Sequence, residues 1–250
     1  MAYLVSVGVG GASVVALCVA ARRRPGRWTV LVSWAVGAAL AADAASYLVH
    51  EAVRGSFSPR TSLPLALCNA AVVVAAVACF WPRPTLVEVT YFWGCAGTVQ
   101  GLATPDLSAR FPSLVFAQYV VGHLGVVAAA LLLVVGRRIT PRRGAAARTF
   151  GITAAYSALV GLVDALSGAN YMFLRRPPGE WTLLRVLGPW PWYVVSAAGV
   201  AALLFALLDL PFRSARRGGS DGRDRASGAA ERRGASRRDG GRDEMTRSVP

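Results

Sequence analysis

The chain has 250 residues, of which 54% are hydrophobic and only 16% charged, with a mean hydropathy of +0.45; soluble proteins average about 25% charged residues. Residues 211–250 hold 17 of the 40 charged side chains, which leaves 23 for residues 1–210. Four cysteines in this length exclude a disulfide-built secreted domain, and so little polar surface excludes a soluble globule; the composition is that of a multi-pass membrane protein.

A helix needs about 20 apolar residues to cross the hydrocarbon core. Seven such runs are predicted, over 3–21, 28–49, 63–81, 86–103, 114–135, 149–167 and 192–210. Period-2 alternation is absent, so no strand competes. The expected fold is all-α, with seven transmembrane helices in residues 1–212 and a disordered tail over 213–250.

The first run lacks a basic leader and is followed by Arg22, Arg23 and Arg24, which reads as a reversed signal anchor rather than a cleaved signal peptide. The fourth run is interrupted by Gly94, Gly97 and Gly101. Its Gly97-x-x-x-Gly101 spacing suits close packing within the bundle. The connection 168–191 is long and reads equally as a lid or as a plain surface loop. Trp181, Trp190, Trp192 and Tyr193 crowd the boundary of the last run as interface anchors. Pro189 and Pro191 fix its start, where a missing N–H costs nothing. The tail is built from Arg, Gly, Ser, Ala and Asp and has too little apolar surface to fold. Its charge suits anionic lipid or simple solvation. Nucleic acid is not an expected partner, because no folded recognition element accompanies the charge.

All 27 basic residues are arginine. Under the seven-run topology, 21 of them fall in the connections after runs one, three and five and in the tail, against 6 on the other side. Cytoplasmic segments are enriched in Lys and Arg. The expected location is therefore the cell membrane, with the N-terminus outside and the C-terminus cytoplasmic.

That orientation assigns a depth to every polar residue in the runs. Asp43, His50, Cys68, Asn69, Gln100, Gln118, His123, Asp164, Asn170 and Tyr171 all fall in or just beyond the outer half. Glu88 and Asp209 fall at the inner boundary, where water reaches them. Ionisable residues in hydrocarbon cost about 2.5–3.5 kcal/mol each and need a reason. Residues that merely snorkel or bond a neighbouring carbonyl scatter over both leaflets; a one-sided layer points to a shared polar cavity opening outward.

Within that layer Cys68 lies about 8 Å below the start of its run and His123 about 14 Å below its own. Both runs descend in the same direction, so the difference is about one helical turn. The two side chains meet if runs three and five pack together. A thiol becomes a nucleophile when a base takes its proton, and Asp43 or Asp164 is placed to orient such an imidazole. The plain alternatives are that Cys68 is a small buried hydrophobe and that His123 makes an interhelical hydrogen bond. Cys18, Cys79 and Cys95 take the plain reading. With only His50 and His123, a three-His zinc site is excluded, and no metal or other cofactor is expected. Membrane lipids are the expected partners. The oligomeric state is not set by the sequence.

Several strings are more specific than periodicity: Leu63-Pro64-Leu65 through Cys68-Asn69, Tyr91-Phe92-Trp93-Gly94, Thr104-Pro105-Asp106-Leu107 with Phe111-Pro112-Ser113, Gly168-Ala169-Asn170-Tyr171-Met172-Phe173-Leu174-Arg175, and Leu187-Gly188-Pro189-Trp190-Pro191-Trp192-Tyr193. In this order, over roughly residues 30–212, they resemble the YwaF family of bacterial integral membrane proteins. That family looks related to a eukaryotic multi-pass acyltransferase which moves polyunsaturated acyl chains onto ether phospholipids. The resemblance implies an intramembrane Cys nucleophile, at Cys68 after the Leu-Pro-Leu string, and an intramembrane His, at His123. The family often carries a second histidine two residues before the cysteine; here that position is Ala66, so no mechanism in this chain uses a base there. Two functions remain open. One is a phospholipid acyltransferase or acyl-ester hydrolase. The other is a non-catalytic transporter or sensor that binds its ligand in the outward cavity.

Overall fold

The computed structural model describes residues 1–55, 57–105, 107, 109–177 and 186–214, and among these every regular element is helical. Helices α1 (Ala2–Arg23), α2 (Arg27–Val53) and α3 (Leu67–Phe80) come first. Helix α4, residues 84–103, consists of Pro84–Phe92, a π turn over Trp93–Thr98 and a last turn over Val99–Ala103. Helices α5 (Leu114–Gly136) and α7 (Trp192–Ser214) flank α6 (Ala145–Ser167). Five of the seven, α1, α2, α5, α6 and α7, are long and apolar enough to cross a bilayer.

Large apolar side chains point outward along these helices. Leu4, Val5 and Val9 on α1, Leu159, Leu162 and Leu166 on α6, and Leu203 and Leu207 on α7 are all exposed. Such broad apolar exteriors mark contact with lipid, and the chain is a multi-pass helical membrane protein. Helix α5 is the hub: 61% of its apolar window is buried, against 11% in α1 and 17% in α6 and α7. Helices α1, α2, α3 and α4 all pack on it, α2 packs on α3, and α6 packs on α4. Small residues allow the close approaches. A Cβ at Gly94 would lie 3.0 Å from Ala130 Cβ on α5, and one at Gly37 would lie 2.8 Å from Cys79 Cβ on α3.

Contacts divide the chain into Met1–Asp209 and Leu210–Pro250. Of the second unit only residues 210–214 are described, and they are helical. The tail expected over 213–250 otherwise lies outside the described residues.

Two expectations are corrected. The third helix starts at Leu67, not near residue 63. Pro64 lacks an N–H, Leu65 N–H turns back onto Leu63 O at 2.8 Å, and Ala66 is extended. Glu88 and Asp209 are not open to water: each is 1% exposed. The carboxylate of Glu88 is enclosed by Arg142 and Arg148, with Nε of Arg142 and Nη2 of Arg148 each 2.9 Å from Oε1. Those arginines belong to the connection before α6 and its first turn, which the apolar pattern does not bring onto α4.

Candidate functional site

Cys68 is the second residue of α3. No side chain caps this helix, because its N-cap position is Ala66. The first N–H groups of a helix have no partner within it, so those of Leu67, Cys68 and Asn69 point out of the helix end beside the thiol. His123 lies in the middle of α5, 9% exposed. Packing of α3 and α2 on α5 brings both residues to the wall of one cavity of about 350 Å³.

The imidazole is held in one orientation. Nδ1 lies 2.8 Å from Tyr119 O, one turn earlier on α5. A carbonyl only accepts, so Nδ1 carries the proton and Nε2 is left as the free base. The Tyr119 ring stacks on the imidazole with centroids 4.0 Å apart and planes at 24°, while its hydroxyl donates to Gly101 O at 2.7 Å. Gly101 fits against the imidazole edge, where a Cβ would come 3.0 Å from Nε2 and Cδ2. The carbonyl of Tyr119 therefore fills the orienting role that the sequence assigned to Asp43 or Asp164. Tyr119 was missed there, although its place four residues before His123 puts it on the same helix face.

Asp43, His50, Asn69 and Gln118 line the same cavity as Cys68 and His123. The Asp43 carboxylate sits over Gly122, where a Cβ would be 2.9 Å from Oδ2. Gln118 Nε2 donates to Ser46 Oγ at 2.8 Å, and Ser46 Oγ donates to Asp43 O at 2.8 Å. His50 Nε2 is buried without a hydrogen-bond partner. Tyr47, Glu51 and Arg54 complete the polar wall. Glu51 and Arg54 were missed because α2 runs beyond the apolar stretch that defined its predicted end.

Leu48, Val73 and Val115 also line the cavity, and they are 50%, 48% and 39% exposed. The cavity is thus open, and its rim includes exposed apolar side chains of α2, α3 and α5.

The other four candidates lie elsewhere. Gln100 lines a second, smaller space. Asp164, Asn170 and Tyr171 form a clamp around the chain leading into α3. Gly168 ends α6 in the left-handed conformation, φ 75°, a place where glycine is unstrained. Asp164 Oδ1 then accepts from Tyr171 N–H at 2.9 Å. The Tyr171 hydroxyl donates to Pro59 O at 2.9 Å and accepts from Leu63 N–H at 2.9 Å. Tyr156 on α6 donates to Leu65 O at 2.9 Å. Asn170 Oδ1 accepts from the N–H groups of Arg175 and Arg176 at 3.0 and 3.1 Å, which fixes the loop itself. These residues position the Leu-Pro-Leu segment rather than line the cavity. The 168–191 connection supplies no described residue to that cavity, and its residues 178–185 lie outside the described ones.

These features define a helical membrane protein with a polar, Cys- and His-bearing cavity set among its bilayer-facing helices. The chain belongs to the TMEM164 family, whose model matches residues 1–209. It is 30% identical over 162 residues to an uncharacterized protein of Treponema pallidum (strain Nichols); the match covers 64% of this chain and 66% of that one. No solved structure matches the chain.

Proposed function

We propose that this protein is a Cys/His-dependent phospholipid acyltransferase or acyl-ester hydrolase. The observation that carries the reading is that Cys68 and His123 line one cavity whose wall includes the exposed apolar residues Leu48, Val73 and Val115. A lipid reaches such a site sideways from the bilayer. The likeness to the YwaF proteins and their acyltransferase relative supports the same pair of residues.

His123 Nε2 takes the thiol proton as Cys68 Sγ adds to the ester carbonyl of a phospholipid. The uncapped N–H groups at the start of α3 face the developing oxyanion. Collapse breaks the acyl–oxygen bond, the imidazolium returns its proton to the departing lysolipid oxygen, and the acyl chain remains as a Cys68 thioester. An acceptor hydroxyl or water then attacks the thioester, giving its proton to Nε2; collapse breaks the acyl–sulfur bond, and the departing Cys68 Sγ takes that proton back from the imidazolium. No metal or soluble cofactor enters these steps. On this reading the chain crosses seven times with its N-terminus outside, and the cavity lies in the outer half of the cell membrane. Cytoplasmic acyl-CoA does not reach it there, so the donor is a phospholipid. Residues 213–250 form a cytoplasmic polybasic tail.

The uncommitted Asp43 carboxylate and the buried, unpartnered His50 Nε2 support a second reading, a transporter or sensor that binds a polar ligand in this cavity. Lipidomics of cells expressing wild type, Cys68→Ala, His123→Ala and Asp43→Asn separates the two. Acyl transfer predicts a shift in phospholipid acyl profile that Cys68→Ala and His123→Ala abolish. Identical profiles for wild type and both variants overturn it. A phenotype that survives Cys68→Ala and is lost in Asp43→Asn favours ligand binding.

A further inference from the structure

Helix α7 is held to the bundle at two levels and stands off between them. Near its start Tyr193 is buried, 1% exposed, and its hydroxyl donates to Phe173 O. Near its other end Phe205 rests on Phe92 of α4, with centroids 5.1 Å apart, and the Tyr91 hydroxyl donates to Leu208 O at 3.3 Å. Between these levels the side chains lining the gap from α7 include Ala197, Val200 and Ala201, and α4 faces them with Ala96 and Gly97 of its π turn. A space of about 170 Å³ remains. It is separate from the Cys68 cavity: Leu67 lines this space, whereas Cys68, the next residue of α3, lines the other.

The lining is apolar apart from two side chains. Thr153 is committed, since its hydroxyl accepts from Trp93 Nε1 and donates to Thr149 O, both at 2.8 Å. Gln100 is not: among the described residues its carboxamide makes no hydrogen bond, although its backbone carbonyl accepts from Thr104 Oγ1 at 3.1 Å. A buried water needs two to four polar partners, which this lining does not offer. Protein interiors are close-packed, and empty space strips lining atoms of their contacts. Helix α7 cannot collapse into the gap while it is pinned at both levels. π turns recur at functional sites because the inserted residue re-aims the side chains around it.

The geometry points to a lipid-chain site between α4 and α7: the space takes one acyl chain of a bilayer phospholipid, and the Gln100 carboxamide donates to that chain's ester carbonyl. Gln100 lies one turn from the end of α4, so a carbonyl there sits at the interface while its chain runs along Gly97, Ala96 and Trp93 towards the Phe92–Phe205 contact. The site does not depend on Cys68 chemistry and holds whichever function the first cavity serves.

The test is photolabelling of the purified full chain in phosphatidylcholine nanodiscs. The probe is a phosphatidylcholine with a mid-chain diazirine, and the labelled residues are mapped by mass spectrometry. Wild type and Cys68→Ala are expected to label alike on residues 93–100 and on Ala197, Val200 or Ala201. Ala201→Trp fills the space and abolishes that labelling. Leu203→Trp, on the lipid-facing side of the same helix, leaves it intact, and Gln100→Leu weakens it. If Ala201→Trp is not monodisperse, Val200→Phe serves in its place. Labelling confined to outward positions such as Val195, Leu203 and Leu207, or inward labelling that the filling variants do not change, overturns the proposal.

Discussion

A carboxylate as deeply buried as Glu88 is stable only because its charge is matched at short range. Arg142 gives it a backbone N–H at 3.0 Å and a side-chain fork at 2.9 and 3.1 Å. Arg148 adds two donors at 3.2 and 2.9 Å. The arginines keep 49% and 40% of their side chains exposed, so they lose less solvation than Glu88 does. Removing one partner of a buried charge network costs more than the net worth of the pair. Glu88→Ala is expected to lower stability by about 2–4 kcal/mol, read as a fall in the thermal unfolding midpoint of detergent-solubilised protein. Combining it with Arg142→Ala is expected to cost less than the two single losses together, because they share one interaction. A fully additive pair would show that the two side chains act independently. This network was only half legible in the sequence. The sequence marks Glu88 as an acidic residue near the start of an apolar run, but its partners come from 54 and 60 residues away in the chain, and the apolar pattern carries no signal for that meeting.

At the scale of elements, the first turn of α3 depends on a segment that is not helical. Residues 58–66 bond to one another only in turns, and three of their carbonyls are taken by tyrosines from elsewhere in the chain: Tyr47 on Ser62 O at 3.4 Å, Tyr156 on Leu65 O and Tyr171 on Pro59 O, each of the last two at 2.9 Å. Tyr171→Phe removes one donor and leaves Leu63 N–H without its acceptor. It is expected to cost about 1–3 kcal/mol and to raise the rate at which a membrane-permeant maleimide modifies Cys68, since the chain entering the helix is loosened. An unchanged rate would mean that the clamp does not set the position of Cys68. The same contacts explain why the site was legible only in part. Runs three and five read as descending in the same direction with a one-turn offset in depth, and Cys68 and His123 do line one cavity. Depth says nothing of position around the bundle, and Asp164, Asn170 and Tyr171 share the level of the cavity while standing behind the Leu-Pro-Leu segment. In α4 the glycines marked close packing, and Gly94 and Gly101 do face α5 at short range. The π turn over Trp93–Thr98 has no sequence signature of that kind, and the space beside α7 stayed hidden with it.

For the whole molecule the open quantity is how many times the chain crosses the bilayer. Helix α3 has 14 residues, which is about 21 Å at 1.5 Å per residue and short of a hydrocarbon core about 30 Å thick. Its far end nevertheless leads into the part of α4 that meets the arginine-rich connection before α6. The turn at residues 81–83 is followed within α4 by Thr85 and Glu88, and both are held by Arg142, at 2.9 Å to each. Residues 58–66 are expected to make up the missing length. Non-helical backbone is tolerated at membrane depth only where protein satisfies it, which is what the three tyrosines do. The expected count is therefore seven crossings, with the 81–83 turn on the same side as residues 137–144. Single cysteines in a background with Cys18, Cys68, Cys79 and Cys95 replaced by alanine test this. With an impermeant maleimide on intact cells, Thr61→Cys is expected to react, whereas Arg83→Cys and Thr140→Cys react only after the membrane is opened. Thr140→Cys labelled in intact cells would invert the orientation and place the Cys68 cavity within reach of cytoplasmic acyl-CoA. Arg83→Cys silent in opened membranes while Thr140→Cys reacts would make α3 and α4 a re-entrant pair and reduce the crossings to five.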